Sequence, residues 1–318
     1  MEKIYTSILI AFVISLVLSP IFIPLLRKLK FGQQIRDQGP KSHYQKSGTP
    51  TMGGVIFLLS ALISLLIIAP LNGEILILLF VTLATGLIGF MDDFQKVVKK
   101  RSLGLKGRYK IFGQLLVVAV FSIYLNSIDH STELLIPFTN FEIDLGFSYY
   151  LFLALMILGT SNAVNITDGL DGLATGVVVI CLTSFVILAH MHNLTGTALF
   201  GSAFIGACAG FLIFNLHPAK VFMGDVGSLA LGSGLASMAV LTKAELALVI
   251  IGLTLVIETL SVIGQVIFYQ TTGNRILLMS PLHHHFELKG WSEWKVVLVF
   301  WVFTLITAAI GIISVINL

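Results

Sequence analysis

Residues 162–174, Asn162-Ala-Val-Asn-Ile-Thr-Asp-Gly-Leu-Asp-Gly-Leu-Ala174, form a short polar island between two long apolar runs. A chain that crosses a bilayer, turns at its surface and goes back would carry such an island at the turn. Asn162, Asn165, Asp168 and Asp171 recur every third residue. On a helical or near-helical turn they would project from one face as a ladder of oxygen ligands and amide donors. Gly169 and Gly172 directly follow the two aspartates, where a missing Cβ lets an anionic ligand or its metal approach the main chain. A loop that merely caps the next helix would account for one Asp-Gly pair. Two Asn and two Asp in register, where acids are expensive, point to a site.

The rest of the composition agrees with this reading. The 318 residues are 56% hydrophobic and 11% charged, with a mean hydropathy of +0.97, against roughly 25% charge in an average soluble domain. The chain therefore reads as an all-α polytopic membrane protein, one integral membrane domain over residues 1–318. Cys181 and Cys208 both lie inside apolar runs, which leaves no disulfide framework and no thiolate metal spacing.

The first apolar run, 4–26, is too long for a signal-peptide core and has no small-residue cleavage site before Arg27, so it is read as a span, with Pro20 and Pro24 kinking its end. A basic, Gly-rich stretch follows, ending in Gly48-Thr-Pro-Thr-Met-Gly-Gly54. Further spans fall near 55–70, 75–91, 111–127, 149–164, 173–190, 196–214, 227–241, 245–270 and 295–316, about ten in all. Between 128 and 148, two strand-like runs around Thr139-Asn140 predict a small β-hairpin near 133–146. With ten spans both termini share one side, and that side carries only Lys3 and Lys243 of the 19 Lys and Arg. The positive-inside rule then puts the termini and the hairpin outside the cytoplasm. Asp92-Asp93, the 162–174 island, Phe222-Met-Gly-Asp225 and His283-His-His285 all fall on the opposite, cytoplasmic face.

Adjacent residues on a helix point about 100° apart. Asp92 and Asp93 are thus expected to divide their roles, one facing the site as base or metal partner and the other anchoring a basic residue. Asp225 follows a glycine and begins an apolar run; it is either an N-cap or a carboxylate at a helix N-terminus facing a phosphate-bound cation, with Gly227 and Ser228 adding donors. Carboxylates without thiolates suit a hard, oxygen-preferring ion, so Mg²⁺ is the expected cofactor. Consecutive histidines diverge on a helix, which favours anion contact over zinc chelation at residues 283–285. His190, His192 and His217 show no comparable clustering and read as ordinary interfacial residues.

Asp92-Asp93, the Asn162 to Gly172 pattern, Met223-Gly-Asp225-x-Gly-Ser228 and the histidine loop, in this order, resemble the polyprenyl-phosphate N-acetylhexosamine-1-phosphate transferases. Gly48 to Gly54 and Ser280-Pro-Leu-His-His-His-Phe-Glu-Leu-Lys-Gly-Trp291 resemble the bacterial phospho-N-acetylmuramoyl-pentapeptide branch of that family. The resemblance covers nearly the whole chain. It implies transfer of phospho-MurNAc-pentapeptide from its UDP carrier to undecaprenyl phosphate, giving lipid I and UMP, in the bacterial cytoplasmic membrane. Catalytic residues would be Asp92, Asp93, Asp225 and His284. Asp225 would be the principal Mg²⁺ ligand, with Asp92 and Asp168 as further candidates. Lys46, Lys96 and Arg108 would contact phosphates, Asn165 and Asp168 would hold the uridine diphosphate side, and Thr51, Asn162, Asn215, Phe222, His283 and His285 would complete substrate binding. It also implies contact with membrane lipid, a homodimer, no nucleic-acid partner, and a ninth span broken in two, with Gly264 as the bend.

Two other readings compete: a GlcNAc-1-phosphate transferase using UDP-GlcNAc, and a transporter. Transport sites lie near mid-bilayer. Only Glu258 stands deep within a span, so transport is the weaker account.

Overall fold

The computed structural model describes residues 1–28, 48–98 and 104–316. Its elements are α1 (Glu2–Lys28), α2 (Gly54–Ile68), α3 (Gly73–Val98), α4 (Gly107–Ser127), β1 (Glu133–Leu135), β2 (Glu142–Asp144), α5 (Ser148–Thr167), α6 (Leu173–Met191), α7 (Thr195–Asn215), α8 (Gly224–Leu241), α9 (Glu245–Ile251), α10 (Leu253–Thr272), α11 (Leu282–Leu288) and α12 (Glu293–Ile316). Nine helices among the described residues are long and apolar enough to cross a membrane, and α2 is a shorter apolar helix. The polytopic all-α architecture follows the apolar runs, with the second read span, 55–70, realised as the 15-residue α2. The helix α1 continues through both Pro20 and Pro24. The hairpin pairs antiparallel, Glu133 with Asp144 and Leu135 with Glu142.

The burial pattern is inverted relative to a soluble protein. On α1, Ser7, Ala11, Ser15 and Ser19 are fully buried, whereas Tyr5, Leu9, Val13, Val17, Ile21 and Leu25 are exposed. Large apolar side chains outward suit lipid, and small ones inward let helices approach closely. The small-residue stripe packs α1 against α7, and the Ser64 hydroxyl of α2 donates to Ser7 O at 3.0 Å. At the centre is α8, buried at every residue from Val226 to Leu241 and rich in Gly, Ala and Ser. Helices α3 and α5 pack on it. Its Ser233 hydroxyl pairs with Thr85 of α3, and Leu229 O accepts from Ser161 of α5 at 3.3 Å.

The ninth span is broken, but at Gly252, where the backbone takes φ −93° and ψ 27°. Gly264 lies inside an uninterrupted α10, facing open space. The reason is packing: α9 lies against α12 and α8 while α10 runs along α5, so the chain changes direction where its neighbours change.

Loop contacts segregate to two ends of the bundle. At one end, Met1 to Ile4 line a cavity with His190, Asn193 and Thr195. Phe138 N in the hairpin turn donates to Ser314 O at 2.8 Å, and Lys243 reaches the carbonyls of Ser131 and Glu133. At the other end meet the ends of α3 and α5, the starts of α4, α6, α8 and α12, and α11.

Candidate active site

Four helix ends build the central cluster: the last turns of α3 (Asp92, Asp93, Lys96) and α5 (Asn165) and the first turns of α4 (Lys110) and α8 (Asp225, Ser228). One carboxylate oxygen from each of Asp92, Asp93 and Asp225 lies within 4.8 Å of the others. At that separation each pair repels by roughly 3–4 kcal/mol at an effective dielectric of about 20, so the trio needs cations. Two are present. Lys96 Nζ is 2.5 Å from Asp92 Oδ2, 3.1 Å from Asp225 Oδ2 and 3.6 Å from Asp93 Oδ1. Lys110 Nζ is 2.8 Å from Asp225 Oδ2 and 3.1 Å from Asp92 Oδ2.

The adjacent acids do not divide their roles as expected; both face the cluster. Each has one oxygen fixed by a backbone amide from another segment. Leu105 N donates to Asp92 Oδ1 at 2.8 Å, and Val226 N donates to Asp93 Oδ2 at 3.2 Å. These tethers turn the free oxygens together, which the 100° divergence of their Cβ atoms does not prevent.

Three carboxylates and two ammonium groups leave one negative charge. Both lysines approach Asp92 Oδ2, so this buried oxygen has an ammonium group on two sides. An oxygen-only donor set with more carboxylates than ammonium groups fits a hard divalent cation. Asp168 caps α5 and belongs to neither carboxylate cluster found among the described residues.

Around this core, Asn165 Nδ2 donates to Asp225 Oδ1 at 2.9 Å and to Ser228 Oγ at 2.8 Å. Thr51 is brought in by a backbone clasp: Phe222 N donates to Pro50 O, Gly53 N to Phe222 O, and Gly54 N to Met223 O, at 2.8–2.9 Å. Gly224, at φ +69°, has room for no side chain, since a Cβ would fall 2.5 Å from Asp93 Oδ2 and 2.7 Å from Thr51 Oγ1. Phe222 is half-buried within this clasp.

Other sequence-read residues lie elsewhere. The 162–174 ladder is not one face with one task. Asn162 is exposed and donates to Leu158 O on its own helix at 2.7 Å. Arg108 is exposed and bonds Tyr109, and Lys110 takes the place beside the acids. Asn215 is buried with its amide engaged, Oδ1 accepting from Thr175 and Nδ2 donating to Val221 O. Lys46 lies outside the described residues.

His217, read as an ordinary interfacial residue, belongs to a second cluster. Its Nδ1 is 3.0 Å from Asp171 Oδ2 and 3.2 Å from Glu293 Oε2. Asp171 Oδ2 also accepts from Ala219 N, and Asp171 N donates to Glu293 Oε1 at 2.7 Å. No sequence spacing links residues 171, 217 and 293.

The three histidines diverge, as expected. His283 is fully buried against Glu258 of α10, His284 Nδ1 lies 2.8 Å from Glu287 Oε2, and His285 Nδ1 accepts from Leu278 N at 3.1 Å. Desolvation, aided by Lys289, pushes the pKa of His285 down, in keeping with a bare accepting Nδ1. The ring of His283 rests on the polar island: a Cβ on Gly169 would fall 2.2 Å from its Nε2. Glu258, the one acid deep within a span, is thus paired with His283.

The family profile described as glycosyl transferase family 4 matches residues 75–243, and the phospho-N-acetylmuramoyl-pentapeptide-transferase signature 1 matches residues 46–58. The chain is similar to the phospho-N-acetylmuramoyl-pentapeptide-transferase of Bacillus subtilis (strain 168), 53% identical over 315 residues covering 98% of this chain and 97% of that protein. The protein of the same name from Geobacillus sp. (strain WCH70) is 54% identical over 310 residues, 96% of each chain. That from Shouchella clausii (strain KSM-K16) is 54% identical over 309 residues, covering 96% and 95%. Identity above half over nearly full length, with the signature lying on the strand-like clasp beside the acids, leaves one conclusion: the chain belongs to the phospho-N-acetylmuramoyl-pentapeptide-transferase family, within glycosyl transferase family 4.

Proposed function

We propose that the protein transfers phospho-MurNAc-pentapeptide from UDP-MurNAc-pentapeptide to undecaprenyl phosphate, releasing UMP and forming lipid I for peptidoglycan synthesis. The observation that carries the chemistry is the buried trio Asp92, Asp93 and Asp225 with Lys96 and Lys110 among its oxygens. An oxygen of the lipid phosphate bonds to the sugar-bearing phosphorus as the bridge to UMP breaks, and the lipid phosphate proton passes to Asp92 or Asp93. Two anions must meet for this, so positioning and charge neutralisation are the main demands. Lys96 and Lys110, paired to carboxylates at rest, are placed to turn to phosphate oxygens. Mg²⁺ held by Asp225 with Asp92 and Asp93 would supply further neutralisation of the diphosphate. Asn165 keeps Asp225 oriented, and the Thr51–Phe222 clasp and the histidine helix wall the approach for the nucleotide and sugar.

The distribution of Lys and Arg supports a site on the cytoplasmic face of the bacterial cytoplasmic membrane, with both termini and the hairpin outside. Family membership supports a homodimer built on one transferase domain over residues 1–318, with membrane lipid as a partner. The test is UMP release by purified protein with undecaprenyl phosphate, Mg²⁺ and defined donors. UDP-MurNAc-pentapeptide should turn over and UDP-GlcNAc give little; the reverse preference would refute the assignment.

A further inference from the structure

The β1–β2 hairpin stands at the end of the bundle away from the acids and has no part in the steps above. Strand alternation gives it two unlike faces. Glu142 and Asp144 lie on one, with Glu133, the partner of Asp144, beside them. Phe141 and Ile143 lie on the other, with Leu134, the partner of Ile143. Leu134 is buried where β1 meets α9. Phe141 and Ile143 are exposed, as are Phe138 in the turn and Phe147 just after β2. Exposed large apolar side chains gathered at one place mark a contact surface.

Two connections fix where that surface stands. Phe138 N donates to Ser314 O at 2.8 Å, on the last turn of α12. Ile310, Ile313 and Ile316 around that turn face outward, on a helix long and apolar enough to cross a membrane. With a rise of about 1.5 Å per residue, Phe138 is therefore level with the end of a lipid-facing surface. Phe147 begins the outward stripe of α5: Phe147, Leu151 and Leu155 recur every fourth residue and are 89%, 67% and 66% exposed. Phe138 also stands at φ +67°, where a small residue is favoured, and its ring is 61% exposed, so packing within the chain does not account for an aromatic there.

We propose that this corner is a lipid-docking surface: Phe138, Phe141, Ile143 and Phe147 insert into the headgroup–acyl boundary of the leaflet at the hairpin's end of the bundle, while Glu133, Glu142 and Asp144 stay in water. Lipid is the occupant because the surface continues the outward stripes of α5 and α12, and aromatic rings favour that depth. The acids set the tilt, since anionic headgroups repel a carboxylate face and leave the apolar face to enter. The inference depends neither on the reaction catalysed nor on which compartment that leaflet borders.

The test uses the full chain in nanodiscs of phosphatidylethanolamine and phosphatidylglycerol, spin-labelled in turn at Phe138→Cys, Phe141→Cys and Phe147→Cys. Cys181 and Cys208 are fully buried, so the introduced thiols are the ones that react. Collision with oxygen should exceed collision with a water-soluble nickel chelate at all three sites, at a depth within about 5–10 Å of the headgroup–acyl boundary. A label at Glu142→Cys should show the reverse order. Nickel-dominated relaxation at the aromatic sites would place them in water and overturn the proposal. Low collision with both reagents would show a covering protein, a second copy or another partner, and overturn it equally. Wild type gives a check that needs no substitution: a phosphatidylcholine carrying a diazirine at the head of its acyl chain should leave adducts on residues 138–147 as well as on the outward face of α1. Adducts on α1 without any on 138–147 would also overturn the proposal.

Discussion

Asn165, on the last turn of α5, holds Asp225, on the first turn of α8, by a 2.9 Å hydrogen bond to Oδ1, leaving Oδ2 to the two lysines. The amide thus decides which oxygen of Asp225 is available for a cation. Asn165→Ala should lower turnover about 10–100-fold, the usual effect of losing a partner that orients a ligand. Asn165→Asp, which adds a fourth carboxylate, should be worse. A Mg²⁺ titration of UMP release checks both, since the alanine variant should need more metal for half-maximal rate.

Asp225→Asn keeps the shape of the side chain and removes the charge that both lysines share. Turnover should drop by roughly 100-fold or more, beyond the range of a merely supporting residue, while thermal unfolding moves little. Near-normal rates across a Mg²⁺ titration would contradict the assignment of Asp225 as the principal ligand.

Asp171 behaves differently because its carboxylate is spent on the fold. Its Oδ2 accepts from His217 Nδ1 and Ala219 N, both at 3.0 Å. Asp171→Ala removes the acceptor of His217 and of the part-buried Ala219 N–H, so about 1 kcal/mol of stability should be lost. The melting temperature in detergent should fall clearly, and kcat at a permissive temperature should suffer less than in Asp225→Asn.

Gly169→Ala drives a Cβ to within 2.2 Å of His283 Nε2. Turnover should fall sharply, and because the clash disappears when the ring is removed, Gly169→Ala in a His283→Ala background should cost much less. A double-mutant cycle on kcat/KM reads this non-additivity.

The cation distribution predicts that a cysteine at Asn140 is labelled by an impermeant thiol reagent on intact cells, whereas cysteines at Lys289 and at Lys100, the latter outside the described residues, are not. Labelling of all three would contradict the orientation.

Span length and position were legible because about twenty apolar residues are a physical requirement of the bilayer, local in sequence. The hairpin was legible for a similar reason, a turn between two short runs. The acids and histidines were recognisable by type, and so was their arrival at one end of the bundle. Their partners were not. Lys110 rather than Arg108 meets the acids because the first turn of α4 faces α8 there, a matter of helix rotation. His217 joins Asp171 and Glu293 across 46 and 76 residues, and no periodicity records such a contact. The convergence of Asp92 and Asp93 depends on amides at Leu105 and Val226, again from other segments. The break at Gly252 rather than Gly264 follows from which helices lie alongside, not from the glycine itself.

The first turn of α12 carries Glu293, which receives the backbone N–H of Asp171 at 2.7 Å. A ribosome delivers the acid cluster, the polar island and the central helix to the membrane well before that turn emerges. The island's amide therefore stays open until α12 reaches the membrane, and docking of that helix closes it. Chains released short of residue 293 would be inserted, bulky and lipid-compatible, yet without the last fastening of the turn that carries Asn165 and Gly169. Fastening of the turn thus comes later in synthesis than delivery of the acids beside it.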